Sequence, residues 1–428
     1  MRIRTPIAAP RGLPGGTSRL RGKRVAMVVF SYYLMDPRPR RAAEALRNEG
    51  MHVDVICLKG GKGDPKPETF RGVDVLRIPL QRRRTGAFGY VFQYVAFVLA
   101  CAGILAVRSL TRRYDLVYVH NMPDILVLSA LIPKAFGAKV ILDLHDPMPE
   151  LMMTIFNLDR DSLWVRTLKR LEKWSIELAD LALTVNLACK KLFVSRGSRP
   201  EKIRVVMNSP DDEIFVFQPP RFEAPARHAS SRPFVIMYHG SLVERNGVDL
   251  AVDAIARVRE SVPSVELRIY GSETKFLERV METVRAKGLT EAVRYLGPRR
   301  IEDIAKAIGE CDLGIIPNRR NVFTELNTPT RIFEYLSLGK PVIAPRAAGI
   351  QDYFDDDSLM FFELGNPEDL ARKIKEAFFY PGKAVELVKR GQAVYLAHTW
   401  PEERQTLVNL TDELLSRGSR VASFRRIP

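Results

Sequence analysis

Short apolar runs recur along the whole chain and are separated by polar segments with helical periodicity. The runs predict strands in the first half at residues 24–30, 51–58, 73–78, 116–120, 139–144, 181–185 and 203–207. In the second half they predict strands at residues 235–238, 265–270, 293–296, 313–316 and 342–344. The clearest helical segments are residues 38–48, 125–136, 163–179, 370–378 and 401–415. Strands that alternate with helices indicate parallel α/β sheets with ligands at the carboxyl ends of the strands.

The chain of 428 residues is too long for one ordinary core and fits two α/β domains. Residues 217–233 hold four prolines and a run of small polar residues, which indicates a linker. The predicted parts are a basic disordered arm at 1–22, a first domain at 23–212, the linker at 213–233, a second domain at 234–396, a C-terminal helix at 397–417 and a basic tail at 418–428. The basic arm lacks an apolar core, so we do not expect a signal peptide.

One segment, residues 328–343, combines an anion-binding pattern with a carboxylate. Small polar residues open a helix, Glu334 lies about two turns in, Gly339 ends the helix, and an apolar strand follows. Free amides at a helix N-terminus bind phosphate, and a carboxylate on the same helix suits ribose hydroxyls. The alternative is an ordinary capped helix that leads into a core strand.

Five further segments strengthen the first interpretation because they occur in a fixed order. With residues 328–343, this set resembles the retaining family 4 glycosyltransferases, which have the GT-B fold, and the resemblance covers residues 24–415. The segments are Asp143-Leu144-His145-Asp146, residues 238–249, Ile269-Tyr270-Gly271, Tyr295-Leu296-Gly297 and residues 311–317. The resemblance implies two Rossmann-like doubly wound domains that face each other across a cleft, with a C-terminal helix that crosses back to the first.

The resemblance also implies a donor site in the second domain. Arg245 would face the diphosphate, because a guanidinium pairs two phosphate oxygens and stays charged. Glu334 would hold the ribose. The donor-binding residues predicted in this way are Gly240, Ser241, Arg245, Gly271, Gly297, Arg299, Asn327, Thr328, Pro329, Thr330, Arg331 and Glu334.

Two positions depart from the family pattern. The family has a cation before Gly247, where this chain has Asn246, so Arg245 must act alone or with Arg331. The family also has a glutamate eight residues before the one that matches Glu334, and Leu326 stands there. Glu325 is the catalytic candidate for the displaced glutamate, with Asn327 as the alternative for that position.

The acceptor side is predicted at the ends of two strands in the first domain. His145 can donate to a sugar hydroxyl near the reacting carbon or transfer a proton, which makes it a catalytic candidate. Its alternative is a structural histidine that caps a loop. His120, Asp124 and Asp146 complete the predicted acceptor side. Residues 355–357 are three consecutive aspartates, which we interpret as a solvated turn rather than a metal site.

Basic charge and an apolar helix together predict contact with a membrane. The net charge is +16, and no acid lies between Asp74 and Asp115. Residues 88–107 are almost wholly apolar and long enough to span a bilayer. The favoured prediction is a helix whose outer face docks into one leaflet, with a span and a wholly buried helix as alternatives. The predicted membrane residues are Arg82, Arg83, Arg84, Phe88, Phe92, Phe97, Arg112 and Arg113.

The resemblance implies a retaining hexosyltransferase that needs neither a metal nor a cofactor. Its partners would be a nucleotide sugar, a saccharide or lipid-linked acceptor and an anionic membrane, but not nucleic acid. Four scattered cysteines form no metal or disulfide pattern, so we expect a cytoplasmic protein at the inner face of the cell membrane. The alternatives are a catalytically silent partner that binds nucleotide sugar or membrane, and a nucleotide-sugar epimerase of the same fold.

Overall fold

The computed structural model describes residues 18–61, 63–65, 67–80, 87–220 and 232–423; the side chains of residues 87, 88 and 417–423 are not part of this description. Several predicted features therefore lie outside the described residues. They are most of the predicted arm, most of the linker, the side chain of Phe88 and three of the basic residues predicted to contact the membrane, Arg82, Arg83 and Arg84. The described residues form strands and helices that alternate along nearly the whole chain.

The strands form two sheets within the described residues, one of eight and one of six strands. The strands of the first sheet are β1 (Arg24–Val29), β2 (His52–Leu58), β3 (Pro67–Phe70), β4 (Val73–Ile78), β5 (Leu116–His120), β6 (Lys139–Leu144), β7 (Leu181–Thr184) and β8 (Ile203–Val205). Their order is β3-β4-β2-β1-β5-β6-β7-β8. The short edge strand β3 is antiparallel to β4, and the sequence pattern missed it.

The second sheet has the strand order of a dinucleotide-binding fold. Its strands are β9 (Phe234–His239), β10 (Val265–Tyr270), β11 (Val293–Tyr295), β12 (Leu313–Ile315), β13 (Val342–Pro345) and β14 (Met360–Phe362). Their order is β11-β10-β9-β12-β13-β14, and every recorded pairing in this sheet is parallel. The order reverses between β9 and β12, so the carboxyl ends of these two strands mark the expected ligand position.

Helices connect the strands. They are α1 (Pro37–Asn48), α2 (Ala87–Thr111), α3 (Leu131–Ala135), α4 (Met148–Phe156), α5 (Leu163–Leu178), α6 (Leu187–Ser195), α7 (Val248–Val258), α8 (Lys275–Ala286), α9 (Ile301–Glu310), α10 (Thr330–Ser337), α11 (Ala348–Gln351), α12 (Pro367–Phe379), α13 (Pro381–Leu396) and α14 (Trp400–Ser423). The helix predicted at residues 125–136 is instead a 3-10 helix, Asp124–Ala130, followed by α3. Pro133 has no N–H to donate to residue 129, so the α-helical pattern is interrupted there.

The second sheet is buried on both faces. Along β9, Ile236 and Tyr238 pack into one apolar core, whereas Val235 and Met237 pack into another. This alternation follows from the period of two along a strand, and burial on both sides is usual for parallel sheets. Phe215, inside the predicted linker, is buried in the second of these cores.

The described residues divide into two compact units. The first holds those up to His120, those in Leu126–Ile141 and those from Leu407 onward. The second holds Asn121–Ile125 and Leu142–Thr406. Most of α14 therefore groups with the unit that contains β1 to β5, as the C-terminal crossing predicts. The second unit starts well before the predicted linker.

Candidate functional site

Three glycines at strand ends form a connected cradle at the switch point of the second sheet. Gly240 follows β9, and its N–H donates to the carbonyl of Tyr270 (3.0 Å). Gly271 follows β10, and its N–H donates to the carbonyl of Gly297 (3.2 Å). A Cβ on Gly271 would lie 2.2 Å from the Gly240 carbonyl oxygen, so only glycine fits there. The structure thus brings together the three glycines that the sequence predicted as donor-binding residues.

The loop after β9 is closed by Asn246, the residue that departs from the family pattern. Its side-chain amide donates to the carbonyl of Ser241 (2.7 Å), which also accepts from the Tyr238 hydroxyl (2.9 Å). Asn246 therefore holds the loop in shape and supplies no charge. Arg245, the preceding residue, lies with its guanidinium 5.7 Å from the ring centroid of Phe323, a cation–π contact that orients it.

Helix α10 begins at Thr330. The helix predicted in residues 328–343 therefore does start among small polar residues. Pro329 precedes the first turn, and Gly339 follows the last with a positive φ of 70°. Glu334 is the fifth residue of α10, little more than one turn from its start rather than two. The first amides of this helix have no carbonyl partner within it, because such partners lie four residues earlier.

Glu334 is held by a histidine that the sequence analysis left outside the site. Its Oε2 lies 2.5 Å from Nε2 of His239, the last residue of β9. The other ring nitrogen, Nδ1, lies 3.1 Å from the hydroxyl of Tyr335, which donates to the carbonyl of Met237 (2.8 Å). The Arg331 guanidinium donates to the His239 carbonyl (2.7 Å) and lies over the Tyr238 ring. Sequence gave no signal for this cluster, because its two halves lie 95 residues apart.

The remaining predicted donor residues occupy different surroundings. The Thr328 hydroxyl donates to the Gly349 carbonyl (2.6 Å). Arg299 is exposed and donates to the neighbouring carbonyl of Pro298 (3.3 Å). Glu325 accepts from Arg320 (3.1 Å), and 42% of its side chain is exposed. Asn327 is half-buried.

Asn186 is a residue of this region that sequence reasoning missed. Its side-chain amide donates to the Leu326 carbonyl (2.8 Å) and to the Thr328 hydroxyl (3.1 Å), while its Oδ1 accepts from the amide of Cys189 at the start of α6. One side chain thus caps α6 and fixes the segment before α10. The capping role has a sequence signal, an asparagine before a helix, but the contact with Thr328 has none.

The predicted acceptor side is organised by Asn121. Its Oδ1 accepts from the amide of His145 (2.8 Å), and its Nδ2 donates to the carbonyl of Asp146 (2.9 Å) and to Asp124 (2.9 Å). The His145 ring lies 3.7 Å from the carboxylate of Asp143. Asp124 is buried, and this burial raises the pKa of its carboxyl to about 6. His120, at the end of β5, is buried and stacked on Tyr118.

A cluster of buried carboxylates lies under this loop. Arg196 pairs with both Glu150 and Glu172, and the contact with Glu172 is 2.7 Å. One guanidinium cannot neutralise two glutamates and the nearby Asp124. Burial therefore raises the pKa of Glu172 to about 8, although Arg196 opposes this shift.

Helix α2 has two apolar faces, and only one is buried. Tyr94, Phe97 and Leu105 are buried, and Phe97 packs edge-on against Phe30, the residue that follows β1. Phe92, Leu99 and Leu110 are 75%, 66% and 76% exposed. The prediction that Phe97 faces the membrane is wrong, since its side chain is buried against Phe30. The alternative of a wholly buried helix is also wrong. Arg112 and Arg113 are exposed.

One helix among the described residues, Gly89–Thr111 within α2, has the length and apolar composition to cross a membrane.

The three consecutive aspartates, residues 355–357, are exposed in a turn, as predicted. Asp356 pairs with Arg346, and Asp355 accepts from the Ser358 hydroxyl (2.7 Å).

Comparisons with known proteins agree with this geometry. The family described as "Glycosyl transferase 4-like domain" matches residues 35–209, and "Glycosyl transferases group 1" matches residues 233–378. The probable glycosyltransferase WbjE of Pseudomonas aeruginosa is 23% identical over 63% of this chain and 67% of its own. The amylovoran biosynthesis glycosyltransferase AmsK of Erwinia amylovora is 23% identical over 41% of this chain and 42% of its own.

Solved structures show the same fold. A sucrose-phosphate synthase from Thermosynechococcus elongatus superposes with a TM-score of 0.74 at 18% identity, over 92% of this chain and all of that one. Anabaena HepE, solved with UDP and glucose, superposes with a TM-score of 0.67 at 18% identity, again over 92% and 100%. The two family matches together cover most of the chain, and the strand order and strand-end cradle fit them. The chain therefore belongs to the family 4-type glycosyltransferases with the GT-B fold.

Proposed function

We propose that the protein is a retaining hexosyltransferase that moves a sugar from a nucleoside-diphosphate donor to a saccharide or lipid-linked acceptor. The observation that carries this proposal is the cradle of Gly240, Gly271 and Gly297 at the switch point, beside the carboxylate of Glu334. Backbone can approach a diphosphate there, and the carboxylate suits a ribose. The complex of HepE with UDP and glucose supports a donor of this class.

The chemistry requires stabilisation of the departing diphosphate. Arg245 and the first amides of α10 would place positive charge and dipoles at the oxygens where negative charge develops. In this proposal no metal is needed, because these groups supply the charge. Retention implies that the acceptor attacks from the face that the diphosphate leaves, and His145 would face that acceptor. Glu325 is the remaining catalytic candidate, and in this structure it is paired with Arg320.

The acceptor side of the proposal includes the inner face of an anionic cell membrane. Support comes from α2, whose exposed face carries Phe92, Leu99 and Leu110 and whose C-terminal end is followed by Arg112 and Arg113. Apolar side chains favour burial at the headgroup boundary, and basic side chains favour anionic lipid. A peripheral position would bring a lipid-linked acceptor to the enzyme.

A panel of nucleotide sugars tests the proposal. The purified protein is incubated with each donor, with and without extracts of lipid-linked and free saccharides, and released nucleoside diphosphate and the anomeric configuration of the product are measured. We expect acceptor-dependent release with one donor and retained configuration. Donor binding without turnover would instead favour a silent partner, and acceptor-independent change of the sugar would favour an epimerase. Inverted configuration would contradict the retaining mechanism.

A further inference from the structure

The ring of His239 is hydrogen-bonded to the carboxyl group of Glu334. The carboxylate of Glu334 has one oxygen, Oε2, at 2.5 Å from Nε2 of His239. Both side chains are mostly buried, at 7% and 12% exposed. Among the described residues, no group is hydrogen-bonded to the other oxygen, Oε1, which leaves that oxygen available to a ligand.

The orientation of the imidazole is itself fixed from the other side. Burial raises the pKa of Tyr335 well above its usual range, so its hydroxyl keeps its hydrogen. That hydrogen goes to the Met237 carbonyl at 2.8 Å. Nδ1 of His239 must then donate to the Tyr335 oxygen at 3.1 Å. One hydrogen between Nε2 and Oε2 completes this chain of contacts and links the ring to the carboxyl group of Glu334.

Packing leaves this chain of contacts little freedom. The Tyr335 ring packs directly on the backbone of Gly314 in β12. A Cβ atom on Gly314 would lie only 2.5 Å from the ring atoms of Tyr335, so a larger residue at position 314 would displace the ring. The Arg331 guanidinium fixes the backbone of His239 through its carbonyl. Among the described residues, the titratable groups in contact with the imidazole are Glu334 and Tyr335, while Arg331 contacts the backbone carbonyl of His239. All three residues lie on α10.

We propose that His239 is a positioning residue that aims the free oxygen of Glu334 at a ribose hydroxyl of the donor nucleotide. This inference rests on the proposed function, because it assumes that the cradle binds a nucleoside diphosphate. The role is distinct from shaping the loop after β9. If His239 shaped the loop, its loss would weaken binding of the diphosphate and of the ribose alike. If His239 aims Glu334, its loss weakens the contact with the ribose alone.

Two isosteric variants separate the two nitrogens of the ring. In His239→Gln the amide nitrogen lies near the position of Nε2 and can still donate to Glu334. In His239→Asn it lies near Nδ1 and reaches only Tyr335. Dissociation constants are measured by calorimetry for uridine, guanosine and adenosine diphosphates, for the 2′-deoxy and 3′-deoxy forms of whichever binds, and for pyrophosphate.

We expect the wild type to prefer the ribonucleotide over one deoxy form by about tenfold or more, the value of a hydrogen bond to a charged group. His239→Asn should reduce this preference to about twofold or less, while His239→Gln keeps most of it. Pyrophosphate should bind all three proteins equally. Glu334→Gln should lose the preference, and adding His239→Asn to it should change nothing further.

Full preference for the ribonucleotide in a folded His239→Asn protein would overturn the inference. So would an equal loss for ribonucleotide, deoxynucleotide and pyrophosphate, which would assign His239 to loop shape. If His239→Asn does not fold, Tyr335→Phe removes the anchor of Nδ1 while keeping the ring, and an unchanged preference there would overturn the inference equally. Failure of the wild type to bind any nucleoside diphosphate would instead remove the proposed function on which the inference rests.

Discussion

Arg245 is the side chain on which the proposed departure of the diphosphate depends most. Its guanidinium lies over Phe323, and Asn246 beside it adds no second cation. Because the negative charge grows towards the transition state, Arg245→Ala should lower turnover by about 10²-fold or more while donor affinity changes less. Steady-state kinetics with the identified donor and calorimetry with its diphosphate measure the two effects.

The matched control is Arg257→Ala, which removes an exposed arginine of α7 that pairs with Glu368 of α12, away from the loop after β9. It should leave turnover unchanged. Wild-type turnover in Arg245→Ala would transfer the stabilising role to the amides of α10 and to other cations.

His145 is predicted to act on the acceptor side, and Asn121 holds the loop that carries it. His145→Ala should lower transfer by about 10²-fold or more, as loss of an acid–base or donor group does, with donor binding intact. Asn121→Ala should lower turnover less and leave donor affinity unchanged, because the histidine remains but its backbone loses its fixed position.

Transfer rates and donor binding are compared with those of His52→Ala, an exposed histidine on β2. Normal transfer by His145→Ala would move the role to His120 or to backbone groups. Normal turnover in Asn121→Ala would show that the loop keeps its position without this amide.

At the scale of elements, helices α4, α5 and α6 share the buried carboxylate cluster. Burial raises the pKa of Glu172 from 4.5 to about 8 and that of Asp124 from 3.8 to about 6. Between the lower and the higher of these pH values, each carboxyl group keeps its proton in the folded protein. The unfolded chain binds fewer protons across that range. The free energy of unfolding should therefore fall as pH rises from about 5 to 8.

Glu172→Gln should weaken this pH dependence, because glutamine fills the site without ionising. Thermal unfolding midpoints at pH 5, 6.5 and 8 measure it, with Glu386→Gln, an exposed glutamate on α13 paired with Lys389, as the control. An unchanged slope in Glu172→Gln would mean that Arg196 keeps Glu172 ionised.

Helix α2 is predicted to bind anionic vesicles through its exposed apolar face. Burying one Leu or Phe side chain contributes about 1.5–3 kcal/mol when complete, so Phe92→Ser with Leu99→Ser should weaken binding by about tenfold or more. Flotation with vesicles of phosphatidylglycerol and phosphatidylcholine measures it at low and high salt. High salt should weaken wild-type binding without abolishing it. Salt screens the attraction between the basic side chains and the anionic lipid, but it does not screen the burial of apolar side chains.

The control is Leu163→Ser with Trp164→Ser, two exposed apolar side chains on α5, which should bind vesicles like the wild type. Equal binding by the Phe92–Leu99 variant would leave the face without a membrane role. Resistance of the wild type to both salt and carbonate extraction would indicate a span instead.

Across the whole molecule, the regular elements could be predicted because burial on both faces leaves a strong pattern. Strands β4, β5, β6 and β10 lie at the predicted residues, and the ends of the other predicted strands differ by one or two residues. The misses are elements with a weak pattern. Strands β3 and β14 have four and three residues, and α13 begins at a proline after a short gap. Short elements carry too few positions for a period to be read.

The proposed donor site could be outlined in part from the sequence, for a related reason. Glycines at strand ends and a carboxylate on a capped helix are local signals, so the sequence pointed to Gly240, Gly271, Gly297 and Glu334. The contact of Asn186 with Thr328 and that of His239 with Glu334 could not be predicted, because the partners lie far apart along the chain. Such contacts depend on how α6, β9 and α10 pack, and no local pattern records that packing.

The pattern of apolar and polar residues was enough to predict the alternation of strands and helices, two largely parallel sheets and the strand-end position of the proposed donor site. These follow from burial and backbone chemistry, which act over a few residues. Two further features depend on how the elements pack together: the pairing of His239 with Glu334, and the choice of the face of α2 that is exposed. Helix α2 is apolar on all sides, so its sequence carries no preferred face. Packing of Phe97 against Phe30 fixed its rotation and left Phe92 and Leu99 outside.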